Sequence, residues 1–228
     1  MLMVENMLTW GFEHAIRGMR NPMNSWDKSD SHFHYNDCLS CVHINEDCVK
    51  EHKVCGDVVC FNIGENDLDL MQRLYKAGNE HRKFLRQIFV SMDITAPLYW
   101  WKEFDTYKVG TVANSCSTMH KIHAKKFEME DFSHEHLNEA CYLQLAHVIE
   151  TLNVVRDVYV ENNDKEYWWQ MIQLLPSSYN QKRTITMNYE NVMNIINQRQ
   201  YHKLDEWVNF VQYLKILTYI KEIRDEEK

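Results

Sequence analysis

The sequence predicts an α+β fold in which helix predominates. Three observations carry that reading. Apolar residues recur at helical spacing through most of the second half of the chain, a run rich in β-branched and aromatic residues lies at 84–94, and a second extended stretch lies at 179–186. Six glycines and three prolines are too few for a Gly/Ser- or Pro-rich linker, so residues 1–228 read as a single domain. At 45% hydrophobic and 25% charged residues, a chain of this length can bury a substantial core.

Taken in order, residues 10–19 form a short helix. Residues 21–56 read as irregular, because Pro22, the run Asp27-Lys28-Ser29-Asp30-Ser31 and four cysteines interrupt any periodicity, and a Cys-bearing insertion is placed at about 31–58. In 67–78, Leu68, Met71, Leu74 and Tyr75 share a helical face, with Asp67 as N-cap and Gly78 as the C-terminal stop. Residues 84–94, with Phe89, Val90 and Ile94, form a strand that ends near Pro97, and helix resumes over 98–107. Residues 135–159 put Leu137, Cys141, Leu145, Val148, Leu152 and Val155 on one helical face. A shorter helix, 165–174, is halted by Pro176. Two helices, 188–198 and 202–223, close the chain, the last turning Leu204, Trp207, Val211, Leu214, Leu217 and Ile220 inward.

A formal net charge of −8 weakens any role in non-specific nucleic-acid binding, although a small phosphorylated ligand needs only a local cationic pocket. No apolar run approaches the ~18 residues of a membrane span. Residues 1–6 lack a basic region followed by an apolar segment, so a cytoplasmic protein without a membrane partner is expected. Seven cysteines are an odd count for a disulfide framework and read as thiols or metal ligands. The spacing of Cys38, Cys41, Cys48 and Cys55 could supply a tetrahedral zinc site, the alternative being reduced cysteines in a variable insertion. His120/His123 and His134/His136 read as surface residues. The chain has neither a dinucleotide-binding glycine fingerprint nor a P-loop, and no Gly-x-Ser-x-Gly elbow. The run Tyr99-Trp100-Trp101 reads as core, yet it is also more aromatic surface than one small domain readily buries, available for subunit contact or for stacking a base or flavin.

Two segments sharpen this picture. Leu175-Pro176 is followed by Thr186-Met187-Asn188-Tyr189-Glu190-Asn191-Val192-Met193-Asn194-Ile195-Ile196-Asn197-Gln198-Arg199. That stretch resembles the C-terminal signature of the flavin-dependent thymidylate synthases, Leu-Pro and then Thr-Val-Asn-Ala-Arg-Ser-Leu-Met-Asn-Phe-Leu-Asn-Leu-Arg. Ala96-Pro97-Leu98-Tyr99 onward is similar to the family stretch leading to its Arg-His-Arg, seven residues, Ser, which here reads Thr106-Tyr107-Lys108, seven residues, Cys116. Ala15-Ile16-Arg17-x-x-Arg20 with Ser25 resembles the family's N-terminal helix and its flavin-contacting Ser, and His81 falls where a flavin-contacting His is common. The departures are specific. Both hallmark arginines are replaced, by Thr106 and Lys108, the family's preceding Gln is Glu103, Thr118-Met119 replaces its Arg-Tyr, and Glu190 stands where it has a flavin-binding Arg.

The resemblance implies a flavin-dependent thymidylate synthase-like α+β fold, helix-rich with a central antiparallel sheet, in a homotetramer that binds FAD and deoxyuridine monophosphate (dUMP). It implies reductive C5 methylation of dUMP to dTMP, with NADPH and methylenetetrahydrofolate as co-substrates. The alternatives are a non-catalytic nucleotide- or flavin-binding homologue, or C5 modification of a different pyrimidine nucleotide. By the same resemblance Tyr107, Lys108 and Cys116 occupy catalytic positions, Ser25, His81, Asn188 and Asn194 contact the flavin, and Lys108, Ser117 and Arg199 contact the substrate. Lys108, Arg199 and Arg20 are the cations it leaves for phosphate, lysine acting as a point charge without the bidentate fork of arginine.

Overall fold

A computed structural model of the chain describes residues 1–34 and 60–225. Cys38, Cys41, Cys48 and Cys55, the expected zinc ligands, and most of the expected insertion lie outside the described residues. In chain order the elements are β1 (Met3–Trp10), α1 (Phe12–Arg20), β2 (His32–His34), β3 (Cys60–Asn62), α2 (Glu65–Lys76), β4 (Phe89–Pro97), α3 (Leu98–Phe104), β5 (Thr111–Ser115), α4 (Thr118–Lys121), α5 (Glu139–Asn162), α6 (Lys165–Leu174), β6 (Asn180–Asn188), α7 (Tyr189–Arg199), α8 (Asp205–Lys215) and α9 (Ile220–Arg224). They are gathered into two compact units, one of Met1–Leu8, Val90–Met187 and Asn191–Leu214, the other of Thr9–Phe89, Asn188–Glu190 and Lys215–Lys228. Among the described residues no helix is long and apolar enough to cross a membrane.

The first unit is organised by a four-stranded sheet of order β1-β4-β6-β5, in which β5 and β6 run antiparallel with Ala113 opposite Ile185. Strict alternation in β4 buries Val90, Met92, Ile94 and Ala96 on one face, joined by Ile185 and Met187 of β6. The opposite face is polar. Asn6 and Thr184 both donate to Asp93, at 2.9 and 2.6 Å, and Lys182 reaches Glu5 at 3.0 Å. Neither β1 nor β5 is announced by alternation, because both are edge strands whose side chains are mostly exposed. Asn6 interrupts β1 with a positive φ of 53°.

The α5–α6 hairpin carries a second core of Ile122, Phe127, Phe132, Leu145, Ile149, Leu152 and Met171. Side chains of Asn138 and Asp164 cap the two helices, and Asn163, left-handed at φ 56°, ends α5. The helical face expected from residue 135 is shorter than the spacing suggested. Leu137 precedes the cap and Cys141 sits in the first turn, both exposed, so burial begins at Leu145.

In the second unit Phe12, Ala15, Ile16 and Met19 of α1 are buried. Phe12 meets Tyr189 and Tyr219 edge-on at 5.7 and 5.5 Å. The single helix expected over 202–223 is broken at Tyr219, which adopts φ 60° and whose hydroxyl donates to the Phe61 carbonyl of β3. Those tertiary contacts override helical periodicity. At the β1–α1 junction a Cβ on Gly11 (φ 99°) would lie 2.3 Å from the Gln87 carbonyl oxygen, so only glycine fits.

Asp67 is not the N-cap of α2. Gly64 is, and its missing side chain leaves room for the Asp30 carboxylate, which accepts from the backbone N–H groups of Asn66 and Asp67 at 2.9 and 3.1 Å. A cap supplied from 36 residues away is invisible to local pattern. Asp67 instead is fully buried, accepting from Arg20 Nε at 2.5 Å and from the Ser29 and Ser31 hydroxyls at 2.8 and 2.6 Å. Burial opposes its ionisation, but the hydrogen bonds from Ser31, Ser29 and Arg20 and the Arg20 charge outweigh that and hold the carboxyl below the ordinary value. A depressed pKa stabilises the fold fully above about pH 4, and that contribution is lost as pH falls through the folded-state value. Asp67→Asn, which leaves Arg20 buried without its counter-charge, is expected to cost about 3–5 kcal/mol in urea unfolding at neutral pH. The gap from wild type should narrow in unfolding curves below pH 4.

Candidate functional site

The site of the first unit rests on a floor of rings. Pro97 ends β4 and starts α3, whose Trp100, Trp101 and Phe104 are buried. Trp100 lies 4.7 Å from Trp207 of α8, 5.1 Å from Phe104 and 5.3 Å from Phe210, by ring centroids. The aromatic run is therefore interior, and Trp100 and Trp101 offer no surface to a subunit or a flavin.

On this floor lies Arg199, the last residue of α7. Its guanidinium carbon is 4.7 Å from the Trp207 ring centre and 5.6 Å from that of Tyr107. Nε donates to the Tyr107 hydroxyl at 2.8 Å and Nη1 to Glu103 Oε2 at 3.2 Å. Tyr107 in turn donates to Gln198 Oε1 at 3.0 Å. Glu103 Oε2 also accepts from Trp207 Nε1 at 3.0 Å and faces His202 Nε2 at 3.4 Å. The chemistry is that of a half-buried guanidinium pre-oriented by a tyrosine and neutralised by a glutamate.

Beside it, β5 and β6 hold the Cys116 segment. Cys116 N–H donates to the Lys182 carbonyl at 2.9 Å, and the Cys116 carbonyl accepts from the buried Gln181 amide at 2.8 Å, leaving the thiol exposed. Arg183 of β6 stacks over Trp101 at 4.3 Å and pairs with Asp105 at 3.1 Å. The Asn191 amide donates to the Val109 carbonyl at 2.6 Å, pinning the turn that follows Lys108. Ser117 caps α4 by accepting from His120 N–H at 3.0 Å. A separate cavity of about 360 Å³ is lined by His120, His123, Tyr159, Lys165 and Trp168, among others. His123 is half-buried against Tyr159 at 5.0 Å, not on the surface as its spacing suggested.

In the second unit Ser25 bonds through its backbone to Arg20, N–H to carbonyl at 3.3 Å and carbonyl to Arg20 Nη1 at 3.2 Å. His81 is exposed and Asn188 half-buried at the end of β6. Arg20 itself is committed to Asp67, and Arg82 pairs with Glu190 at 2.9 Å. Arg20 therefore does not serve as the phosphate cation the sequence suggested. Among the described residues no group of three or more His, Cys, Asp or Glu is placed to hold a metal ion.

No protein-family model and no curated protein matches the sequence. Solved structures do match along its whole length. Thymidylate synthase X from Helicobacter pylori, crystallised with FAD and dUMP, superposes with a TM-score of 0.64 at 17% identity, covering 99% of this chain and 98% of that one. A second structure of the flavin-dependent enzyme from that organism, also complexed with FAD and dUMP, gives 0.63 at 17%, covering 98% and 97%. The fold is that of the flavin-dependent thymidylate synthases.

On that fold the chain brings Tyr107 and Arg199 into direct hydrogen bonding, keeps Cys116 and Ser117 at the end of β5, and leaves Lys108 exposed. Asn194 is half-buried within α7. Glu103, Gln198 and Trp207 were not singled out as site residues. Trp207 was legible only as an inward residue of its helix and Glu103 only as a departure from the family's Gln. Its bonds to Tyr107 and Glu103 and its place over the Trp207 ring tie Arg199 to the fold as well as to the site. Arg199→Ala should lower unfolding stability by about 1–2 kcal/mol, measured by thermal and denaturant unfolding with matched m-values.

Proposed function

We propose that the protein is a flavin-dependent thymidylate synthase-like enzyme that binds FAD and methylates dUMP at C5 to dTMP, with methylenetetrahydrofolate and NADPH as co-substrates. The observation that carries the reading is the likeness over the whole chain to structures that hold FAD and dUMP. FAD, when bound, supplies hydride transfer.

The polar set in the second unit suits it. Ser25, His81 and Asn188 would hold FAD, and Glu190 Oε2 is buried without a partner among the described residues, an acceptor for a group rich in hydroxyl and amide donors. Arg199 and the exposed Lys108 would take the nucleotide phosphate, Arg199 held in place by Tyr107. The substitution of both hallmark arginines and the pairing of Arg199 with Glu103 favour, as a second reading, a homologue that binds nucleotide or flavin without turnover.

Purified protein reconstituted with FAD should show a flavin spectrum that NADPH bleaches, and dTMP should form when dUMP and methylenetetrahydrofolate are added. A yellow protein that binds dUMP but forms no dTMP would leave the second reading. A protein retaining neither ligand would end both.

We also read the chain as a homotetramer. Leu143 and Val154, which share a face of α5, are each more than half exposed, an apolar surface suited to subunit contact. Light scattering should return about four times the chain mass of 27.5 kDa. A monomer mass at micromolar concentration would remove this assignment.

A further inference from the structure

We propose that Glu103 is an internal counter-ion that competes with a ligand's phosphate for Arg199, and so sets how strongly the site discriminates by ligand charge. The inference rests on the reading of Arg199 as the phosphate cation. Glu103 Oε2 accepts from Arg199 Nη1 at 3.2 Å and from Trp207 Nε1 at 3.0 Å, and lies 3.4 Å from His202 Nε2. The carboxylate is thus shared among three groups, yet its side chain remains 39% exposed, at the rim and not sealed in. Arg199 has spent Nε on Tyr107 and Nη1 on Glu103, and its Nη2 has no hydrogen-bond partner among the described residues. A phosphate can therefore approach the guanidinium only beside a carboxylate already seated on it.

Two anions at one half-buried cation repel each other, because the partly desolvated site screens them less than water does. An incoming phosphate monoester must displace Glu103 or bind against its field. A neutral ligand meets no such opposition. The glutamate thereby weakens phosphate-bearing ligands selectively, while the Arg199–Glu103 pair and the Trp207 bond hold the guanidinium over the Trp207 ring when no ligand is there. Trp207 needs only an acceptor, which glutamine also supplies. Glu103→Gln keeps that bond and removes the charge.

Calorimetric titration of wild type and Glu103→Gln with dUMP, inorganic phosphate and deoxyuridine tests the assignment. The variant should bind dUMP and inorganic phosphate about tenfold more tightly, with deoxyuridine unchanged. A glutamate that merely supported the fold would move all three ligands together or none. Equal affinities of the two proteins for dUMP and for phosphate, or a gain for deoxyuridine as large as for dUMP, would overturn the proposal, as would the absence of phosphate binding to either. Phosphate bound more tightly by the variant, with dUMP bound by neither protein, would uphold the counter-ion and overturn the nucleotide reading instead. If Glu103→Gln folds poorly by circular dichroism, Glu103→Ala must show the same selective gain, and its failure to do so counts against the proposal equally.

Discussion

Trp100 is fully buried and in contact with the rings of Trp101, Phe104, Trp207 and Phe210, and the candidate site depends on that packing. These rings fix α3 against α8, which gathers Glu103, Tyr107 and Trp207 around the Arg199 guanidinium. The packing is strong enough to tolerate a local cost. The Trp100 indole N–H finds no acceptor among the described residues, a burial that only extensive ring contact offsets. A rigid floor of this kind lets a flexible arginine act as a positioned group.

Much of the helical framework was legible because its signals are local. The shorter helix at 165–174 was readable from its apolar spacing and from Pro176 beyond it, and α7 from the segment running to Arg199. What escaped were features decided at a distance. The edge strands β1 and β5 show little alternation because most of their side chains face solvent, and the last helix breaks at a tyrosine held by Phe12 and by the Phe61 carbonyl. At the site, Tyr107 and Arg199 are singled out by the family pattern. That the two would touch, and that Glu103 would sit on the same guanidinium, is a matter of how α3 packs on α8. No spacing within either segment encodes it.

Arginine is used here chiefly as internal mortar. Arg20 is committed to Asp67, Arg82 to Glu190, Arg183 to Asp105 and Trp101, and Arg199 to Glu103 and two rings. Each guanidinium suits the task by its planar fork and weak hydration, which lysine lacks. In a chain of net charge −8 the consequence is that an anionic ligand meets these guanidinium groups already engaged. Binding such a ligand is then an exchange of partners within existing networks, with the cost and selectivity that exchange brings.

The positive φ of Asn6 has a bearing beyond the fold of one chain. Among the described residues β1 is an outer strand of its sheet, and an outer strand offers a row of unpaired N–H and C=O groups to any other extended chain. A residue turned into the left-handed region in the middle of that row breaks its regular spacing, so a second strand cannot zip along its full length. Asn6 tolerates the conformation better than most residues and spends its side chain on Asp93 of the neighbouring strand, which keeps the irregularity in place. With Met3, Met7 and Leu8 exposed along the same strand, this small distortion makes an otherwise adhesive edge a poorer template for a second strand.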